Sequence, residues 1–258
     1  MHHLPVDHYS RLESPVHHLD ARVKVLLTVF FIAAESSLGR FDIWGALTLG
    51  LLPLFLAGLS EVPWRYLGRR VILASPFMIF IVAFQPFTVP GAAVWRMPLL
   101  GWTVTGAGLL AAAVLLVKFS ADILMTLVLV TTTPFEQLAW GLRWWRVPKL
   151  LIEVMLMMFR YTFVLFDELE RMVRTARLRA VELAPVRARY RAYARILGVH
   201  LLRSLARAER VYAAMLLRGF RDGLARQRPG TLARMDVLAA VGLSAFIWGT
   251  FAWRIMTA

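Results

Sequence analysis

The sequence predicts an all-α integral membrane protein with about five transmembrane helices and two long amphipathic helices. Of the 258 residues, 59% are hydrophobic and 18% are charged, whereas soluble domains are nearer half apolar and a quarter charged. Long apolar runs recur along the chain, while residues 134–235 hold 20 of the 30 Lys and Arg residues. This composition excludes most soluble enzymes and disordered tails.

The first two predicted spans follow a polar N-terminal segment, 1–22. That segment has no apolar core after a basic start, so we expect no cleaved signal peptide. The first span, 23–37, is short for a bilayer, which needs about 20 residues. A tight turn at 38–40 leads into the second span, 41–59, which contains Pro53.

A basic loop is predicted next, with Arg65, Arg69 and Arg70. The third span, 71–89, contains two prolines, which membrane helices tolerate because neighbouring groups satisfy the freed carbonyls. Residues 90–103 are rich in Pro and Gly and are predicted to form a loop.

The fourth span is 104–130, and Pro134 is well placed to open a new helix. The last span, 237–253, has no charged residue. The predicted organisation is therefore an N-terminal segment at 1–22, four transmembrane helices at 23–133, a coupling-helix domain at 134–235 and a last transmembrane helix at 236–258.

The distribution of basic residues orients the predicted spans. Lys and Arg concentrate before the first span, between the second and third, and in 134–235. The positive-inside rule puts these regions in the cytoplasm and leaves the C-terminus outside. The stretch 148–166 is apolar enough for a sixth span, but it contains Glu153 and Arg160, so we favour a helix near the cytoplasmic surface.

Two amphipathic helices are predicted within the basic block. Apolar residues recur at helical spacing over 167–182 and 186–217, Pro185 interrupts the pattern and Gly219 is a natural stop. The second helix would be roughly 48 Å long. Such a pair can bind anionic lipid or serve as a docking platform, and the lengths, the apolar stripes and the end motifs favour the platform.

The two helices end in similar short motifs, Leu178-Arg179-Ala180 and Leu217-Arg218-Gly219. Here the sequence resembles the transmembrane T components of energy-coupling factor (ECF) transporters, which carry Ala-Arg-Gly-type signatures at the ends of two coupling helices. Both motifs differ from that pattern at the first position, and the first motif also at the third. The resemblance is closest to the CbiQ branch of cobalt uptake, through stretches at 17–24, 132–136, 166–172 and 207–212.

This resemblance implies a multi-subunit importer. Two CbiO-like ABC-type ATPase subunits would hydrolyse ATP with Mg²⁺, and a CbiM-like S component, with a possible small CbiN-like subunit, would bind the cobalt ion. The chain itself would bind no cofactor or metal and no nucleic acid, and would lie in the cell (inner) membrane. Its two motif arginines, Arg179 and Arg218, would each dock in a groove of one ATPase.

Other polar residues offer weaker candidate sites. The histidines near the N-terminus could ligate a transition metal, but a solvated segment explains them better; they are His2, His3, His8, His17 and His18. Lys118 and Asp122, at i and i+4 in the fourth span, can neutralise each other, contact the S component or line an ion path. Glu35 is expected at the outer end of the first span, within reach of water.

No catalytic constellation is present in the sequence. The chain has no Gly-x-x-x-x-Gly-Lys-Ser/Thr phosphate loop and no cysteine. The alternatives are a nickel-specific T component, a membrane enzyme acting on lipid or isoprenoid substrates, and a secondary transporter. The enzyme would need an acidic Mg²⁺-diphosphate site, for which only Asp167, Glu168 and Glu170 come close.

Overall fold

The computed structural model describes residues 14–96, 103–179, 181–220 and 234–257, and these are predominantly helical. The chain divides into two compact units. The first comprises Met1–Gly141 and Gly230–Ala258, and the second comprises Leu142–Pro229. The predicted coupling-helix domain, 134–235, includes the whole second unit.

The elements follow one another as α-helices with short connections. In chain order they are α1 (Pro15–His18), α2 (Ala21–Ser37), α3 (Ile43–Leu59), α4 (Trp64–Thr88), β1 (Ala93–Arg96), β2 (Thr103–Thr105), α5 (Gly106–Thr132), α6 (Phe135–Leu142), a 3-10 turn (Arg143–Trp145), α7 (Lys149–Leu178), a second 3-10 turn (Val181–Leu183), α8 (Val186–Leu217) and α9 (Arg234–Thr257).

The predicted spans coincide with α2, α3, α4, α5 and α9, which confirms the helical class. Among the described residues, however, only α5 is both long and apolar enough to cross a membrane by itself. Helix α4 meets the same test as two segments, Trp64–Pro76 and Met78–Thr88, that are bent by 54°. The apolar segments Ile43–Leu59 and Asp236–Thr250 are shorter than a full span, so the count of five stays a prediction.

Two local expectations differ from the structure. The predicted basic loop is the first two turns of α4, because Pro63 lies just before Trp64 and arginine favours helix. In the predicted loop at 90–103, residues 93–96 form β1, which pairs antiparallel with β2; the Val, Trp and Thr residues of these segments suit strands. The stretch at 148–166 is helical, as expected, and continues into the first coupling helix as α7, because no Pro or Gly interrupts it.

Helix α5 lies at the centre of the first unit, where α2, α3 and α4 pack on it. Its buried residues include Ala121, Leu124 and Val128. A Cβ added at Gly50 of α3 would lie 3.7 Å from the Ala121 Cβ, so small residues bring these two helices close together. Such close approach is typical of helix packing in membranes.

The contact between α4 and α5 depends on Gly108. A Cβ at this position would lie 2.6 Å from the Pro86 Cα and 2.9 Å from the Gln85 carbonyl oxygen. Beside it, the Thr105 hydroxyl accepts a hydrogen bond from the Gly108 N–H at 3.2 Å and donates to the Val89 carbonyl at 2.7 Å. One threonine therefore caps the start of α5 and holds the end of α4.

Candidate docking site on the paired helices

Helices α7 and α8 of the second unit run antiparallel and cross at an ion pair. Arg207 donates a 2.6 Å hydrogen bond to the Glu168 carboxylate, and the Arg203 guanidinium lies 3.9 Å from the same carboxylate. The Glu168 side chain is only 15% exposed, so water competes weakly for it. A charge-assisted hydrogen bond in such surroundings contributes about 1–2 kcal/mol.

The crossing separates two openings of different character. On one side lies the basic cleft, about 740 Å³ in volume and lined by Glu168, Arg171, Met172, Thr175, Ala176, Arg179, Val181, Ala192, Arg195, Ile196, Val199, Arg203 and Arg207. On the other lies the apolar groove, about 500 Å³ and lined by Met157, Met158, Tyr161, Thr162, Leu165, Ser204, Arg207, Ala208, Val211, Tyr212 and Met215. Charge therefore concentrates on one side of the helix pair.

The first predicted motif stands at the end of α7. Leu178 is the last helical residue and is 84% exposed. Arg179 is the C-cap, and its N–H donates to the carbonyls of Thr175 and Ala176. A 3.0 Å ion pair between Arg177 and Glu182 spans the turn that follows. The third motif residue, Ala180, lies outside the described residues.

The second predicted motif ends α8 with a Schellman motif. Leu217 is the last helical residue and is 90% exposed, and Arg218 is the C-cap. Gly219 has a φ of 78°, a conformation that glycine adopts without strain. Its N–H donates to the Leu216 carbonyl at 3.0 Å, and the Phe220 N–H donates to the Met215 carbonyl at 3.0 Å. These two bonds define the motif and confirm Gly219 as the helix stop.

The ends of α7 and α8 carry the same two kinds of exposed side chain. Each has an exposed leucine followed by an exposed arginine at a helix C-cap, where the helix dipole favours a cation. Arg179 lines the basic cleft with α8 residues between Ala192 and Arg207, whereas Arg218 caps the far end of α8. Each guanidinium can pair bidentately with a carboxylate, so the two arginines can hold two separate acidic sites.

The start of α2 is fixed by side chains of the stretch 17–24, one of those that resemble the CbiQ branch. The Asp20 carboxylate caps α2 by accepting from the Arg22 N–H at 2.9 Å. Lys24 is 5% exposed, and its Nζ donates to the carbonyls of His17 at 3.2 Å and Thr132 at 3.1 Å and to the Thr133 hydroxyl at 3.3 Å. Asp20 therefore caps α2, and Lys24 joins the start of α2 to the end of α5.

Glu35 of α2 lies near Lys118 and Asp122 of α5, and the latter two are partly exposed. Lys118 Nζ donates to the Leu38 carbonyl at 2.8 Å. Glu35 is fully buried, so the expectation that water reaches it is wrong. Glu35 lies in the last turn of α2, but it faces Lys118 and Asp122 of α5 instead of solvent. The hydrogen bond of Lys118 joins α5 to the C-cap of α2.

The other polar residues considered as candidate sites contact neighbouring residues of the same chain. The His17 Nδ1 lies 2.7 Å from the Ser14 hydroxyl, and His2, His3 and His8 lie outside the described residues. Within the described ranges no group of three His, Asp or Glu side chains is placed to hold a metal ion. In the candidate acidic cluster, Glu168 is bound by Arg207 and Glu170 by Arg174 at 2.7 Å. Glu153 pairs with Lys149 at 3.8 Å.

Sequence reasoning missed two long-range connections. The family-like stretches join in pairs: 17–24 meets 132–136 through Lys24 and Thr132, and 166–172 meets 207–212 through Glu168 and Arg207. The available signal was that one stretch of the second pair carries an acid and the other carries arginines at helical spacing.

The chain is similar in sequence to known transport proteins. Residues 13–229 match the family model CbiQ, described as a cobalt transport protein. The chain is 30% identical over 199 residues to the cobalt transport protein CbiQ of Rhodobacter capsulatus, covering 76% of this chain and 77% of the relative.

Two further relatives are named energy-coupling factor transporter transmembrane protein EcfT. The one from Thermanaerovibrio acidaminovorans is 32% identical over 236 residues, covering 85% of this chain and 84% of the relative. The one from Heliobacterium modesticaldum is 26% identical over 251 residues and covers 92% of both chains. These relatives are named as transport components and not as enzymes.

Proposed function

The chain belongs to the CbiQ family and is a non-catalytic membrane T component of the ECF type, and from this premise we propose that it couples ATP hydrolysis to the import of cobalt ions. In this role it joins two CbiO-like ATPase subunits to a CbiM-like S component, with or without a small CbiN-like subunit. ATP and Mg²⁺ belong to the ATPase, and cobalt belongs to the S component.

The two arginine-bearing helix ends carry this proposal. Leu178 and Leu217 are the most exposed large hydrophobic side chains in the described part of the chain, and each precedes an exposed C-cap arginine. An apolar residue beside a planar cation suits a groove that offers a carboxylate next to an apolar wall. Two such ends provide one contact for each of two ATPase subunits.

The stiffness of the helix pair supports a mechanical role. Helix α8 is uninterrupted over 32 residues, and the partly buried Glu168–Arg207 pair fixes its crossing with α7. When the two ATPase subunits close on ATP, a contact at each end would move the helix pair as a lever. Transmission of this movement to the S component would then alter access to the bound cobalt ion.

The proposal is tested by replacing both motif arginines in the complete transporter. We expect Arg179→Ala with Arg218→Ala to release both ATPase subunits from affinity-purified complexes and to abolish ATP-dependent cobalt uptake into proteoliposomes. The matched control, Arg191→Ala with Arg210→Ala, removes two exposed α8 arginines that line neither the cleft nor the groove. Full retention of the ATPases and full uptake by the motif variant would contradict the proposal.

Metal selectivity is tested on the same proteoliposomes. We expect ATP-dependent accumulation of cobalt in preference to nickel, in line with the family description. Preferential accumulation of nickel would leave the proposed coupling role intact and identify nickel as the transported metal, because the resemblance assigns metal recognition to the S component.

A further inference from the structure

The basic cleft holds more cationic charge than the described residues neutralise. Five arginines line it, from α7 and its C-cap and from α8, together with one acid, Glu168. Glu168 is already bound by Arg207 and approached by Arg203. Arg171, Arg179 and Arg195 have no acidic partner within the part of the chain that the structure describes.

The dimensions of the cleft suit an elongated ligand. Arg171 and Arg179 are eight residues apart on α7, or about 12 Å, while Arg195 and Arg207 on α8 are about 18 Å apart. An extended peptide rises about 3.3 Å per residue, so four or five residues match this row. The volume of about 740 Å³ falls within the usual range for ligand sites, about 300–1,000 Å³. A single phosphate group would reach only part of the row.

The cleft is continuous with the first helix end and absent from the second. Arg179 belongs both to the first motif and to the cleft lining. Near the second motif, the opening between the helices is the apolar groove, where Met215 lies three residues before Arg218. The two ends therefore differ in the electrostatic character of their surroundings.

We infer that the basic cleft receives an acidic segment of the ATPase subunit docked on the first helix end, so that the two ATPase copies are held by different forces. This inference rests on the proposed function and adds a partner surface to it. Binding at the first end depends on several partly exposed ion pairs and weakens with salt, since charges are screened beyond about 8–10 Å near physiological ionic strength. Binding at the second end has one arginine and depends less on salt.

The test isolates each helix end in the full-length chain. Arg218→Ala leaves only the first end, and Arg179→Ala leaves only the second. Into each background we introduce Arg171→Glu with Arg195→Glu, and measure binding of a purified CbiO-type ATPase at several salt concentrations. The matched control is Arg187→Glu with Arg210→Glu, which changes net charge equally without altering the cleft lining.

We expect the cleft variant to weaken ATPase binding by about tenfold or more at low salt in the Arg218→Ala background, with a shallower salt dependence, and to leave binding unchanged in the Arg179→Ala background. Unchanged binding in both backgrounds, while each single motif substitution removes one ATPase, would overturn the cleft inference and leave the proposed function intact. ATPase binding that survives loss of both motif arginines would instead remove the proposed function itself.

A separate arm examines phospholipid as the ligand. Vesicles of phosphatidylglycerol and phosphatidylcholine are incubated with detergent-solubilised wild type and cleft variant. Loss of vesicle binding by the cleft variant, with ATPase binding unchanged, would overturn the inference and identify the cleft as a site for anionic headgroups.

Discussion

At the scale of single residues, Lys24 holds more of the first unit together than its place near a helix start suggests. Its ammonium group donates to three acceptors on two other segments. Because the group is buried, each bond it makes is shielded from competing water, and each acceptor it leaves would lack a partner.

We expect Lys24→Met to destabilise the protein. An unsatisfied buried polar group costs about 1–3 kcal/mol, and each 1 kcal/mol lowers the melting temperature of a domain this size by about 2–4 °C. Thermal unfolding in detergent should therefore show a decrease of several degrees. Arg191→Met, at an exposed cation of α8, serves as the control. Equal melting temperatures for the two variants would contradict this account.

Glu35 lies near Lys118 and Asp122, so two carboxyl groups lie near one ammonium group. We expect Lys118→Met to lower the melting temperature more than Glu35→Gln does, because the lysine substitution removes the hydrogen bond to the Leu38 carbonyl, whereas glutamine keeps the size and polarity of Glu35. A larger loss with Glu35→Gln would show that Lys118 does not stabilise this group of residues.

At the scale of elements, the helix crossings depend on small residues and on partly buried charge. Gly108→Ala would place a Cβ 2.6 Å from the Pro86 backbone, where no flexible side chain can move aside. We expect it to cost about 1–3 kcal/mol, measured by thermal unfolding. Gly242→Ala in α9, where a Cβ meets no atom within 4 Å, should be neutral or slightly stabilising. Similar results for both variants would contradict the described packing of α4 on α5.

The crossing of α7 and α8 can be compared with an exposed pair of similar length. The Glu168–Arg207 contact is 2.6 Å and partly buried, whereas the Glu170–Arg174 contact is 2.7 Å and more than half exposed. We expect double-mutant cycles with Gln and Met substitutions to give about 1–2 kcal/mol for the first pair and under about 0.5 kcal/mol for the second. Equal coupling energies would mean that burial does not strengthen the crossing.

Local signals explain which element boundaries the sequence could predict. Pro134, Pro185 and Gly219 act through their own backbone geometry, so the start of α6, the start of α8 and the end of α8 follow from them directly. The end of α7 has no such residue, and the predicted helix to 182 stops four residues early. The strand pairing of 93–96 with 103–105 depends on tertiary contact, which spacing alone does not reveal.

At the scale of the whole molecule, the sequence does not predict which residues bond to each other across long separations along the chain. Lys24 bonds to Thr132 across 108 residues and Arg207 to Glu168 across 39. Each stretch is a weak signal alone, and helical periodicity fixes only the face on which a residue lies. The motif ends were recognisable because each is a short contiguous signal at a helix terminus.

The proposed coupling requires that each motif end contacts its own ATPase subunit. The chain contains no cysteine, so Leu178→Cys and Leu217→Cys each provide a unique thiol for a photoactivated crosslinker in the assembled transporter. We expect one ATPase adduct from either single variant and an adduct with two ATPase subunits from the double variant. Adducts containing only phospholipid, or one ATPase subunit crosslinked by both thiols, would contradict it.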